Sequence, residues 1–136
     1  MSVEWTPDLK TEVQEIDDQH KELFKRIDNL LEAWKQGKAV SEVDKVISFL
    51  TEYVVFHFGN EQKYMQKFGY TNTVQHLAQH DQFVKAFGRL RDRFASEGVK
   101  PELIEDATQL LVDWLKNHIK YSDKALGLFL KRKLPQ

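Results

Sequence analysis

Proline occurs at only three places in the 136-residue chain, Pro7, Pro101 and Pro135, and each lies outside the stretches of strongest periodicity. Proline breaks or kinks a helix interior, so a chain that keeps it at the margins is free to build long helices. Between these prolines, apolar residues recur at intervals of three and four, which places them along one helix face. The first such stretch begins near Asp17 or Asp18, acidic residues suited to a helix N-terminus. It carries Leu23, Phe24, Ile27, Leu30, Leu31 and Trp34 before Gly37 stops it. The second opens at Ser41, with Asp44 as the distant half of a weak capping box, and runs through Val43, Val46, Ile47, Leu50, Val54, Phe58 and Met65 to end before Gly69. The third runs from Thr71 or Thr73 through Phe83, Phe87, Leu90 and Phe94 to Gly98. The fourth starts at Pro101 and continues through Leu103, Ile104, Ala107, Leu110, Leu111, Trp114 and Leu115.

Four long helices with short connections predict an all-α, antiparallel up-down-up-down four-helix bundle. The expected layout is one domain over residues 1–136. Residues 1–16 form an N-terminal arm that packs Val3 and Trp5 against the bundle, and residues 17–121 hold the four main helices. Residues 123–132 hold a short C-terminal helix, with Ala125 to Leu130 packed across one end.

An apolar fraction of 41% supplies one core. The formal net charge of −1 argues against a nucleic-acid binder driven by positive charge. The basic run Lys131-Arg132-Lys133 reads as a solvated helix end, with cations at the favourable pole of the helix dipole. No run of about eighteen apolar residues occurs, so no membrane span is expected. The segment from Met1 to Leu9 carries Glu4 and Asp8 and does not read as a signal peptide. Cysteine is absent, which removes thiolate chemistry, iron–sulfur clusters and cysteine-type zinc sites together. A cytoplasmic location fits that composition, and any metal must be held by nitrogen and oxygen.

The five histidines, His20, His57, His76, His80 and His118, all fall on the four main helices, with at least one on each. A lone helical histidine is ordinarily a core or surface residue. The joint pattern is different. Four helical residues turn the chain by about 400°, so His57 with Glu61, and His76 with His80, project from one face. Those faces are also apolar, and burying five imidazoles without partners costs several kcal/mol. A metal supplies the partner. Asp123 joins this set only if the last helix departs from α geometry, because five residues on it would face about 140° away from His118. The spacing therefore predicts a bulge, loosening or break around Lys120 to Ser122, a feature that favours functional sites.

Five imidazoles and two carboxylates exceed what one ion needs and suit two. Two six-coordinate ions offer about twelve positions. The imidazoles, two bridging carboxylates and one bridging oxide or hydroxide fill all but about one. A small ligand such as dioxygen fits the remainder. Glu-rich sites with paired Glu-x-x-His motifs, absent from this sequence, favour high oxidation states. An imidazole-rich set favours the ferrous pair and reversible binding over oxygenation.

The segments Asp18-Gln19-His20-Lys21-Glu22-Leu23-Phe24, His57-Phe58 with Glu61, His76-x-x-x-His80, and Trp114-Leu115-x-x-His118-Ile119 with Asp123 resemble, in order and spacing, the signature of the hemerythrin family. Val3-x-Trp5 is similar to its single-domain bacterial members. The resemblance implies two iron ions bridged by an oxide or hydroxide. It places His76, His80 and His118 on one iron, His20 and His57 on the other, and Glu61 and Asp123 as bridges. The open position then belongs to the two-histidine iron. Gln62 and Thr71 depart from the family's frequent residues but occupy no ligand position.

Leu23, Phe24, Phe58, Trp114, Leu115 and Ile119 are the candidates for a dry oxygen pocket. The expected function is reversible dioxygen binding for transport, storage or delivery to an oxygen-consuming enzyme partner. The alternatives are a sensor of oxygen, nitric oxide, iron or redox state, and a di-iron peroxidase or oxidase. No additional acid–base residue stands out, so an enzyme is not the expectation.

Overall fold

A computed structural model describes residues 4–37, 40–98 and 100–134, with the side chains at 40–43, 46, 101 and 104 outside the description. The expectations for Val3, the Ser41 cap, and the Val43, Val46 and Ile104 side chains lie outside the described residues. A 3-10 turn at Pro7–Leu9 precedes helix α1 (Gln14–Lys35), followed by α2 (Val40–Phe68), α3 (Thr73–Glu97) and α4 (Pro101–Thr108). A π segment (Gln109–Trp114) leads to α5 (Leu115–Asn117), a second π turn (His118–Asp123) and α6 (Lys124–Lys131). Helix α1 packs on α2, α2 on α3, α3 on α4, and α4 on α1, which closes an up-down-up-down ring. Gly37, at φ 66°, takes the left-handed conformation that ends α1.

One boundary differs from the sequence reading. Helix α1 starts at Gln14, three residues before Asp17, with Val13 at its N-cap position. Asp17 does not cap it. Its buried carboxylate reaches back instead and accepts from the Thr11 backbone N–H at 2.7 Å, the Thr11 hydroxyl at 2.8 Å and the Glu12 N–H at 3.2 Å. The arm is thereby fastened to the helix that follows it. The short C-terminal helix is α6, and the backbone stays helical from Pro101 into it, with Asp123 at φ −73° and ψ −35°.

Trp5 packs against the main apolar core, with the Lys21 ammonium 4.6 Å from its ring centroid. That core gathers Leu23, Phe24, Ile27, Val54, Phe58, Phe83, Leu115 and Ile119, among others. A second cluster holds Val13, Ile16, Met65, Tyr70, Leu126 and Leu130. Several of the buried polar residues fall between the two along the chain. On α1, His20 lies between Ile16 and Leu23, and on α2 Glu61 lies between Phe58 and Met65.

Candidate metal centre

Helix α1 contributes His20, α2 contributes His57 and Glu61, α3 contributes His76 and His80, and the second π turn contributes His118 and Asp123. All seven sequence-predicted residues are brought together, and none is more than 4% exposed. The pairs on α2 and α3 share a face because they are four apart. His118 and Asp123 share one because a π turn bonds i to i+5 and carries the fifth residue round beneath the first. The irregularity expected around Lys120 to Ser122 is this turn. The π segment at Gln109–Trp114 had no counterpart in the sequence reading.

The two carboxylates divide the donors into two groups. Glu61 Oε1 lies 3.1 Å from both His76 Nε2 and His80 Nε2, and Asp123 Oδ1 lies 3.0 Å from His76 Nε2 and 3.2 Å from His118 Nε2. The other two oxygens face the opposite group. Glu61 Oε2 is 2.9 Å from His57 Nε2 and 3.5 Å from His20 Nε2, while Asp123 Oδ2 is 3.0 Å from His20 Nε2. Each carboxylate thus offers one oxygen to a cluster of three imidazoles and one to a cluster of two. Within each group the donor atoms all lie within 4.8 Å of one another.

Several of these atoms are close without being hydrogen-bonded. His20 Nε2, Glu61 Oε2 and Asp123 Oδ1 are buried and have no hydrogen-bond partner, although each has a polar neighbour within 3.5 Å. His80 Nε2 and His118 Nε2 stand 3.1 Å apart, so that without ions one of them must carry the proton they share. Ligand bonds of about 2.1 Å at right angles would set donors about 3.0 Å apart. The donor set therefore fits metal ions of octahedral preference bound through neutral nitrogen and carboxylate oxygen.

Charge follows the same arrangement. Burial resists protonation of His20 and His76, but the carboxylates of Asp123 and Glu61 beside them outweigh it and lift both rings to about 9. His80 moves the other way, lowered by burial and by repulsion from His118 and His76. Burial favours the neutral acid at Glu61 and Asp123, and at Asp123 the Glu61 charge adds to it. The surrounding imidazoles overcome both and hold these carboxyls below their ordinary range. Without ions, the site is a knot of shared protons.

Two further residues that the sequence reading did not identify meet the rings from outside, and a third meets one of these two. Gln19 Oε1 lies 2.7 Å from His57 Nδ1, and Gln79 Oε1 lies 2.7 Å from His118 Nδ1. The Ser122 hydroxyl donates to the same Gln79 oxygen at 2.8 Å. These bonds join residues 38, 39 and 43 positions apart, so no local spacing announces them. Of the candidate pocket residues, Phe58 stacks on the His80 ring at 3.8 Å between centroids and 4° between planes, and Trp114 stacks on His118 at 4.9 Å and 8°. Leu23, Phe24, Leu115 and Ile119 are buried in the core cluster that includes Phe58.

Residues 11–128 match the protein family described as the Hemerythrin HHE cation binding domain. The chain is 37% identical over 124 residues to the Bacteriohemerythrin of Methylococcus capsulatus, covering 90% of this chain and 92% of that protein. It is 38% identical over 120 residues to the Bacteriohemerythrin of Pseudomonas aeruginosa, covering 88% of this chain and 75% of that protein. A wild-type hemerythrin crystal structure superposes with a TM-score of 0.81 at 36% identity, covering 91% of this chain and 94% of that one.

Proposed function

The chain belongs to the hemerythrin family, and from that premise we propose that it binds dioxygen reversibly at a non-haem di-iron centre. The observation that carries the reading is the division of carboxylate oxygens. Glu61 Oε1 and Asp123 Oδ1 face His76, His80 and His118, and Glu61 Oε2 and Asp123 Oδ2 face His20 and His57. Side chains so placed would hold two ions, with both carboxylates as bridges and unequal numbers of imidazoles at the two ends. A ferrous pair, when bound, supplies the two electrons on which reversible dioxygen binding draws.

The chain's own residues do the rest. Five rings turn Nε2 inward, and Phe58 and Trp114 stack on His80 and His118 to fix their planes. The buried side chains of Leu23, Phe24, Phe58, Leu115 and Ile119 keep water and protons from the two-histidine end. Among the described residues, the groups that hydrogen-bond the rings from outside the seven are the amides of Gln19 and Gln79. Neither amide titrates, which supports binding over acid–base catalysis. Among the described residues no helix is long and apolar enough to cross a membrane. We place the chain's use in the cytoplasm, carrying or storing oxygen for an oxygen-consuming enzyme.

The test is anaerobic reduction of the iron-loaded protein followed by oxygen. A visible absorption band that forms with oxygen and vanishes under argon, with two irons per chain, is the expected result. Bleaching with steady consumption of an added reductant would make the protein an oxidase or peroxidase. Fewer than two irons per chain would overturn the di-iron reading.

A further inference from the structure

The dipeptide Gln-His occurs three times, at 19–20, 75–76 and 79–80, and the first and third copies play the same role. Gln19-His20 lies on α1 and Gln79-His80 on α3. In both copies the histidine turns Nε2 into the centre, while its Nδ1 is buried without a hydrogen-bond partner. In both copies the glutamine reaches across to a histidine on the next part of the bundle. Gln19 holds His57 of α2, and Gln79 holds His118 of the second π turn, each at 2.7 Å from Oε1 to Nδ1. The Asn60 amide nitrogen, which can only donate, is 3.4 Å from the same Gln19 oxygen. The atom facing the His57 ring is therefore the amide oxygen.

An amide oxygen can only accept. The ring it meets must donate from Nδ1 and leave a bare lone pair on Nε2. His57 belongs to the two-imidazole group and His118 to the three-imidazole group, so one glutamine serves each side of the centre. Ser122 donates to Gln79 as well, which ties the π turn carrying Asp123 to the same oxygen.

We propose that Gln19 and Gln79 are a matched pair of positioning residues that fix the Nδ1–H tautomer of one imidazole at each ion and, being uncharged, keep those imidazoles weak enough donors to favour the ferrous state. A carboxylate at either position would draw the Nδ1 proton, make the ring a stronger electron donor and favour the ferric state. The potential-setting part rests on the di-iron reading above.

The variants Gln19→Glu, Gln79→Glu, Gln19→Leu and Gln79→Leu separate the roles. The glutamate variants are expected to bind two irons, titrate at a lower midpoint potential than the parent, and autoxidise about tenfold faster. The leucine variants are expected to lose about ten- to a hundredfold in iron affinity, the usual effect of removing a histidine's outer partner. Unchanged potentials in both glutamate variants would overturn the potential-setting role, because a merely structural amide tolerates that exchange without moving the potential.

Histidine nitrogen NMR on the zinc-loaded full chain tests the tautomer part without iron. The protected Nδ1–H of His57 should vanish in Gln19→Leu alone, and that of His118 in Gln79→Leu alone. Retention of both signals overturns the tautomer lock. A chain that shows both signals with zinc yet never binds two irons supports the lock, while it overturns the di-iron reading and the potential-setting role with it.

Discussion

His118 and Asp123 stand five residues apart in one π turn, and their side chains meet at 3.2 Å, Nε2 to Oδ1. In a regular α-helix they would diverge by about 140°. Deleting Tyr121, whose side chain is 67% exposed, should return the segment to α register with Asp123 four residues after His118 and still on its face. The expected outcome is a helical protein by circular dichroism that still binds two irons. Fewer than two irons per chain in the deletion variant would show that the centre needs the π geometry itself and not only a shared face.

The metal-free protein should lose stability in alkali. His20 and His76 are lifted in the fold from 6.5 to about 9, so their contribution is complete below about pH 6.5 and is lost as pH rises through about 9. Glu61 and Asp123 are held low, so theirs is present above about pH 4.5 and is lost as pH falls further. Chelator-treated protein should therefore resist urea best between about pH 4.5 and 6.5 and weaken toward pH 9.5. Iron-loaded protein should show no alkaline loss, because its rings are already deprotonated at Nε2, and loading should release protons. Equal urea midpoints at pH 6 and 9.5 without metal would contradict this account.

Leu115 is 1% exposed and lies in the apolar cluster with Phe58 and Ile119. Replacing it with asparagine brings a hydrogen-bonding group and water toward the centre. Leu115→Asn should speed autoxidation about tenfold or more, followed as loss of the reversible band in air, a change worth roughly 1.4 kcal/mol in barrier. An unchanged rate would remove Leu115 from the wall of the oxygen site.

Gly127 on α6 lies against the Thr11 backbone, where an added Cβ would collide with the Thr11 carbonyl oxygen and sit 2.8 Å from the Thr11 Cβ. The obstruction is backbone, held in place by Asp17, so it cannot step aside cheaply. Gly127→Ala should destabilise the fold by about 1–3 kcal/mol despite alanine's better helix propensity. Denaturant unfolding measures it, and a gain in stability would mean that the arm is free to move.

The seven candidate ligands were legible because helices print their geometry into sequence. His57 with Glu61 and His76 with His80 sit at helical spacing on apolar faces, and the five-residue step to Asp123 made sense only with a widened turn. The start of α1 was misjudged for an equally physical reason. Asp17 looked like an acid at a helix N-terminus, but its carboxylate serves Thr11 and Glu12 in the preceding arm. The contacts of Gln19 and Gln79 were invisible because they cross between helices. The repeated Gln-His dipeptide was the one available trace. Nothing in the sequence of Gln109–Trp114 announces its π geometry.

The two apolar clusters do not merge into one continuous core, since His20, Glu61, His76 and Asp123 fall between their members along the chain. The bundle accordingly has a waist. Bound ions would act there as a rivet through α1, α2, α3 and the final π turn, welding the end built on Ile16, Met65 and Leu126 to the longer end built on Leu30 and Phe94. Iron occupancy and mechanical unity then become one property. A chain stripped of its ions would be not only unable to take up oxygen but also hinged at the middle.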